Sequence, residues 1–200
     1  MTEPSTFNRP LWLKLLVTIS LVVIIIFAMA IWQNIKHSEK YFRRLIEVQQ
    51  THLAEAIEGG MHHNLSIGNN NVVREQFAQV RIKMPKTQAY VFDFDQKITF
   101  STHTETVGKS VSLVTGHLKP EEALRTLLTS GRIPDNLLEN FQDEEPQAAV
   151  LRPIFNEKRC AHCHGQSRKV LGGIMVITSA DLYVDAVTSV RNTNITIGLI

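Results

Sequence analysis

Apolar residues are spread unevenly along the chain, and their longest run lies near its start. Residues 11–32 contain a single charged side chain, Lys14, and carry Trp12 and Trp32 at the two ends. A helix of about 20 apolar residues spans the roughly 30 Å hydrocarbon core of a bilayer, and tryptophan is enriched where such a helix meets the headgroups. The pattern predicts a transmembrane helix at 11–32 that follows a cytoplasmic tail at 1–10.

A cleaved signal peptide is the competing interpretation of this segment. Ala28-Met29-Ala30 has the small-x-small pattern of a cleavage site, as secretory signals do. The apolar run continues past that site through Ile31 and Trp32. This length favours an anchor that is retained.

Two helices are predicted after the span. Residues 33–58 contain neither Gly nor Pro and repeat apolar residues at helical spacing, and Gly59-Gly60 has the composition of a C-cap. A second helix is predicted from an N-cap in Asn69-Asn70-Asn71 to a stop at Pro85. A helix continuous with a membrane span packs against a copy of itself in many proteins, so a homodimer is expected. The alternative is that the first helix covers only the core of its own domain.

Beyond Pro85 the apolar residues change to a period of two, which is typical of strands. Asp95-Gln96 predicts a tight turn, and Gly172-Gly173 allows a bulge or a close approach of the backbone to another group. The acidic stretch 135–145 predicts a helix or a loop with a solvated face. Together these elements predict an α+β domain, in which helices flank an antiparallel sheet. Strands are predicted at 89–94, 97–101, 148–155 and 170–179, and helices at 121–128 and 181–191.

Charge and composition exclude two broad classes of function. The chain has 21 Lys and Arg against 19 Asp and Glu, a net charge of +2, and no strip of basic and aromatic residues of the kind that binds nucleic acid. No acid–base constellation can be identified around residues 160–164. The chain is therefore expected neither to bind nucleic acid nor to be an enzyme.

The two cysteines of the chain stand together in Cys160-Ala161-His162-Cys163-His164. Cys-x-x-Cys-His is the attachment signature of a c-type haem. The two thiols can add to the two vinyl groups of one porphyrin, and His164 then becomes the axial ligand of the iron. A zinc site would need a second pair of ligands, a disulfide across two residues would be strained, and a thioredoxin-like pair has no need of the histidine. One covalent haem c per chain is predicted.

The sixth iron ligand is predicted within Met61-His62-His63, because all three side chains can bind iron. The sequence leaves these three open, with His103 and His117 as more distant candidates and His162 as a surface residue. Arginine binds carboxylates bidentately, so Arg152 and Arg159 are predicted to pair with the haem propionates. Other cations near the motif are Lys158, Arg168 and Lys169.

The segment from Pro153 to Gly165, followed by Val170-Leu171-Gly172-Gly173, resembles the haem-binding end of periplasmic PAS-like sensor domains that carry c-type haem. Such domains belong to bacterial chemoreceptors, histidine kinases and diguanylate cyclases. The resemblance implies a PAS-like antiparallel sheet with long N-terminal helices, a periplasmic domain at 33–191 anchored in the inner membrane, and Met61 as the sixth ligand. Cys160, Cys163 and His164 match the family pattern residue by residue.

Two functions follow from these expectations. The first is a membrane-anchored haem c sensor that detects redox state or a small gaseous ligand and signals across the membrane. The alternative is an anchored monohaem cytochrome that transfers electrons to a redox partner. The apolar residues 192–200 are expected to begin a second transmembrane helix, beyond which an output module such as a kinase or a cyclase would follow.

Overall fold

A computed structural model describes residues 10–115, 118–132, 138–141 and 145–199. The chain divides into two compact units: one comprises residues 1–42 and 185–200, and the other comprises residues 43–184. The first unit is helical from residue 11 to residue 42 and from residue 185 to residue 199. The second unit contains the sheet and all residues of the candidate site.

The chain order is two helices, two strands, two helices, two strands, and then a helix, a strand and a final helix. The helices are α1 (Leu11–Ser66), α2 (Asn70–Lys83), α3 (Val111–Val114), α4 (Glu121–Ser130), α5 (Ala161–His164) and α6 (Asp181–Leu199). The strands are β1 (Thr87–Asp93), β2 (Ile98–Ser101), β3 (Leu138–Asn140), β4 (Gln147–Phe155) and β5 (Val170–Ser179). The predicted α+β fold is confirmed.

The helix α1 contains a segment that is long and apolar enough to cross a membrane. The same helix continues to Ser66, so the expected C-cap at Gly59-Gly60 is wrong. Glycine inside a helix costs only about 1 kcal/mol relative to alanine, and Met61, one residue later, is buried against the domain core. Packing of this turn therefore outweighs the local preference. The chain reverses after Ser66 at Gly68, where φ is +71°.

The sheet has five strands in the order β2-β1-β5-β4-β3, and all neighbours are antiparallel. β5 lies at the centre and pairs with β1 from Thr87–Thr178 to Asp93–Gly172. The predicted turn at Asp95-Gln96 is confirmed: Gln96 has a φ of 63°, and the Asp93 carboxylate accepts a hydrogen bond from the Lys97 amide at 2.9 Å.

Alternate side chains of the central strands fill two apolar clusters. Met175 and Ile177 of β5 point into a first cluster that includes Leu124, Leu127 and Leu128 of α4. Ile174 and Val176 point into a second cluster with residues of α1 and α2. The sheet therefore has helices on both faces, with the α1–α2 pair on one of them.

Three other expectations are corrected in detail. Asn69 precedes α2 but makes no capping hydrogen bond through its side chain. Leu138–Asn140 is a short edge strand rather than a helix or loop, because its backbone pairs with β4. Residues 135–137 and 142–144 of the same acidic stretch lie outside the described part of the chain. The last helix extends to Leu199 rather than 191.

Candidate functional site

The Cys-x-x-Cys-His residues form one helical turn. The backbone oxygen of Cys160 accepts hydrogen bonds from the amides of Cys163 at 3.1 Å and His164 at 3.0 Å. Both thiols are free, and all three side chains line the same cavity. The turn thus places two thiol sulfurs and an imidazole at the wall of one cavity.

Asn156 holds the loop that carries this turn. Its side-chain amide donates to the backbone oxygens of Gly165 at 2.7 Å and Arg168 at 2.9 Å, and its own backbone amide donates to Lys169 at 2.9 Å. Gly165 has a φ of +70°, a conformation that glycine adopts without strain. In the sequence, Asn156 stands out only as part of a family pattern, which does not predict this role. An asparagine beside a turn-rich segment is the signal that could have indicated it.

The cavity has a volume of about 540 Å³, within the range of ligand and cofactor sites. Its apolar wall comes from the ends of α1, β1, β2, β4 and β5 and consists of Leu65, Val91, Phe100, Ile154 and Leu171. Its polar lining consists of His62, Ser66, Asn70, Arg74, Asp93, Thr99, Cys160, Cys163 and His164. Gly68 and Gly172 complete the surface.

Gly172 brings two strands close together at the cavity wall. A Cβ atom on this residue would lie 2.0 Å from the backbone oxygen of Phe92, and one on Gly173 would lie 2.5 Å from the Phe92 ring. The expected close backbone approach at these glycines is confirmed. A larger residue here would push β5 away from β1.

The lining fits a covalently attached haem in its chemistry. Haem requires an apolar slot, two thiols for its vinyl groups, and an imidazole for its iron, and the cavity offers Cys160, Cys163 and His164 beside an apolar wall. Within the described part of the chain, no three His, Cys, Asp or Glu side chains gather closely enough to hold a metal ion by themselves. A zinc cluster of protein ligands is therefore not assembled among those residues.

The three consecutive candidates for the sixth ligand face different surroundings. Met61 is 2% exposed, belongs to the second apolar cluster and lines a separate groove between α1 and α2. His62 lines the cavity, and its Nε2 lies 3.4 Å from Oε1 of Glu157. His63 is exposed to solvent. Only His62 of this triplet shares the cavity with His164.

The arginines expected to bind propionates already have acidic partners. Arg152 donates to Glu58 at 2.8 Å and to Glu55 at 3.1 Å. Arg159 donates to Glu157 at 3.1 Å. Neither arginine lines the cavity. Arg74 of α2 does line it, and sequence reasoning missed it because it lies far from the motif in the chain.

The remaining histidine candidates lie elsewhere. His162 is exposed, as expected for a surface residue. His103 follows β2, where its Nδ1 lies 3.2 Å from the Thr102 hydroxyl. His117 falls outside the described residues. His103 and His162 are not among the residues that line the cavity.

The five-stranded antiparallel sheet, with helices on both faces and a cavity beside its central strand, agrees with the PAS-like sheet that the family resemblance implies. Residues 56–181 match the family described as "Methyl-accepting chemotaxis sensory transducer, class 40H, sensor". This match covers more than half of the chain and includes every strand, and the chain belongs to that family. It contains the sensor domain of a signalling receptor.

Solved structures of low sequence identity resemble the chain. The sensor domain of the histidine kinase DctB from V. cholerae aligns with a TM-score of 0.48 and 11% identity, over 80% of this chain and 59% of that one. An extracellular ligand binding receptor from Desulfohalobium retbaense aligns with a TM-score of 0.47 and 10% identity, over 80% of this chain and 27% of that one. The chain thus spans less than two thirds of the length of either structure.

Proposed function

We propose that this chain is a membrane-anchored, periplasmic haem c sensor domain that detects redox state or a small gaseous ligand. The observation that carries the proposal is the convergence of Cys160, Cys163 and His164 on an apolar cavity within a receptor sensor domain. The apolar segment of α1 supports membrane anchoring. If the haem is attached, the domain must lie on the outer side of the inner membrane, because c-type haem is attached there.

Cys160 and Cys163 would hold the cofactor through two thioether bonds, and His164 would bind its iron. A bound haem would supply a centre that changes charge on reduction and accepts small diatomic ligands. Asn156 keeps the attachment loop in place through its two backbone contacts. The apolar wall would shield one part of the cofactor surface from water, which strengthens electrostatic interactions there.

For the sixth iron ligand we favour His62 over Met61. His62 already lines the cavity, whereas Met61 would have to leave the second apolar cluster, where it is almost fully buried. Extraction of a buried methionine costs about 2 kcal/mol or more, by the scale of large-to-small core substitutions. His62 can exchange its contact with Glu157 for a position on iron.

Helix α1 could transmit this change of iron ligand from the cavity to the membrane. His62 belongs to α1, the helix whose N-terminal part has the composition of a membrane span. A stimulus changes the output only if it favours one of two conformations. We propose that gain or loss of the His62 contact is the difference between those conformations.

The groove between α1 and α2 supports the proposed homodimer. It measures about 550 Å³ and is lined largely by apolar residues, which include Leu53, Ile57, Val72, Val80 and Met84. Light scattering of the detergent-solubilised chain tests this expectation. A mass equal to twice that of one chain supports the dimer, and a single-chain mass contradicts it.

The sensor proposal is tested on the chain co-expressed with haem-maturation machinery. Absorption spectra are recorded in both redox states with and without CO and NO, and hydrogen exchange is followed in residues 43–66 under each condition. A sensor requires ligand binding or reduction to change exchange in this part of α1. A spectrum indifferent to CO and NO, with unchanged exchange, would support the electron-transfer alternative instead. The Cys160→Ala/Cys163→Ala variant is the control without attached haem.

A further inference from the structure

The cavity carries an uneven distribution of charge. Arg74 is the one permanently cationic side chain among the described residues that line it, and Asp93 is the one carboxylate. Arg74 belongs to α2, whereas Asp93 ends β1 and uses Oδ1 to accept the Lys97 amide at 2.9 Å. An anionic group that enters the cavity is therefore repelled from the β1 end and attracted toward α2.

Arg74 is available to bind such a group. Its guanidinium donates to the amide oxygen of Asn71 at 3.2 Å, and among the described residues it forms no ion pair. An amide is a weaker partner for guanidinium than a carboxylate, which accepts two parallel hydrogen bonds. Most of the donors of Arg74 are thus free of protein acceptors among the described residues, and the side chain is exposed at the edge of the cavity.

The start of α2 adds to the attraction. Asn70, the first residue of this 14-residue helix, lines the same cavity as Arg74. The N-terminal end of a helix carries a partial positive charge that favours anions. The side-chain charge and the helix dipole therefore act in the same direction on this wall.

We propose that Arg74 binds a haem propionate at the α2 wall of the cavity, in place of the expected Arg152 and Arg159. This inference rests on the proposed haem attachment. Arg152 would leave Glu55 and Glu58 without their cation if it turned to a propionate, whereas Arg74 exchanges only an amide contact. The haem would then be held by residues of α5 and by Arg74 of α2.

The test uses the full chain matured with haem in detergent and compares Arg74→Ala, Arg74→Lys and Arg81→Ala. Arg81 is the matched control, since it is an exposed arginine on the same helix, about 10 Å further along at 1.5 Å per residue, and it does not line the cavity. Two quantities are measured at pH 8, where propionates are ionised: the ferric–ferrous equilibrium, and the propionate bending vibration in the resonance Raman spectrum. The signals of wild type and of the three variants are each normalised to the amount of attached haem.

Loss of the Arg74 charge is expected to shift the equilibrium toward the ferric state about tenfold, which is 59 mV for a one-electron couple, and to move the propionate vibration. Arg74→Lys keeps the charge but loses the bidentate contact, so the vibration should move while the equilibrium shifts less. Arg81→Ala should leave the vibration in place and the equilibrium nearly unchanged. Equal behaviour of Arg74→Ala and Arg81→Ala on both measurements would overturn the assignment.

Failure of the underlying haem proposal would look different. If the wild-type chain carries no attached haem after maturation, both the haem proposal and the Arg74 assignment are contradicted. Attached haem with an Arg74→Ala spectrum identical to wild type removes only the propionate assignment.

Discussion

Arg152 of β4 donates a hydrogen bond from Nε to Oε2 of Glu58 over 2.8 Å, and this bond joins the sheet to α1 four residues before His62. The side chains of Arg152 and Glu58 are only 20% and 25% exposed. Glu55, one turn earlier, accepts a second bond from Nη1 at 3.1 Å. The pair therefore fixes the position of α1 on the sheet next to the cavity.

The first prediction concerns this contact. Arg152→Met should lower the free energy of unfolding by about 1.5 kcal/mol, since hydrogen bonds to charged groups contribute about 1.5–3 kcal/mol and these side chains keep some exposure. Denaturant unfolding followed by circular dichroism measures the change. Arg159→Met is the control, because its pair with Glu157 is exposed, and such pairs contribute about 0–1 kcal/mol. Equal losses from the two substitutions would contradict a special role for Arg152.

A second prediction concerns the close contact between β5 and β1. Gly172→Ala should lower the free energy of unfolding by about 1–3 kcal/mol, as overpacked substitutions do, because its Cβ would meet the Phe92 oxygen. Gly59→Ala has open space around its Cβ and lies within α1, so it should stabilise the protein by about 0.5–1 kcal/mol. Thermal unfolding of both variants measures the difference. A neutral Gly172→Ala would show that the strands can separate without cost.

The third prediction separates the candidates for the sixth ligand. His62→Ala should change the absorption spectrum of the haem-loaded chain and open the iron to CO, because it removes the histidine that lines the cavity. Met61→Leu should leave the spectrum unchanged, and His63→Ala is the solvent-exposed control. If Met61→Leu changes the spectrum and His62→Ala does not, the methionine implied by the family resemblance is the ligand.

A fourth prediction concerns the ion pair between Lys86, which precedes β1, and Asp181 at the start of α6. The Lys86 ammonium lies 2.8 Å from Asp181, and this hydrogen bond lowers the pKa of Asp181, with a smaller contribution from Ser179. A lowered carboxyl pKa contributes stability that is present above the ordinary value of 3.8 and is lost as pH falls through the folded value. Lys86→Ala should return the pKa of Asp181 toward 3.8, as measured by NMR titration of its carboxyl carbon. An unchanged titration would contradict the contact.

Tyr90 gives a fifth prediction at high pH. Burial, assisted by the charge of Glu105, raises the pKa of Tyr90 to about 12. The folded protein then binds this proton more tightly than the unfolded chain does, so folding stability should decrease as pH rises above the ordinary value of 10.0. Ultraviolet titration of tyrosinate in wild type and Tyr90→Phe isolates this group. A Tyr90 that titrates at the ordinary value of 10.0 would contradict its burial.

The alternation of apolar residues was sufficient to predict four of the five strands, whereas the short edge strand β3 was expected to be a helix or a loop. The bounds of β5 agree with the prediction, and β1, β2 and β4 differ by one or two residues at their ends, because their inner side chains enter packed clusters. The end of α1 was not predictable in the same way. Gly59 and Gly60 favour a helix end locally, and only the tertiary packing of Met61 extends the helix to Ser66.

The site could be predicted only in part, because some of its residues come together only through tertiary packing. Cys160, Cys163 and His164 lie within five residues of one another, so the haem-attachment motif can be identified from the sequence alone. Met61 and His62 are adjacent, but successive residues on a helix point about 100° apart, and the sequence does not tell which one faces the cavity. Arg74 reaches the same cavity from a separate helix, so its position depends on the folding of α2 against the sheet.

Mass spectrometry of the intact chain, purified after co-expression with haem-maturation machinery, tests the central claim most directly. We expect a mass increase of one haem that survives denaturation and is absent from Cys160→Ala/Cys163→Ala. An unmodified mass, with both thiols free to react with an alkylating reagent, would contradict haem attachment and the sensing mechanism built on it.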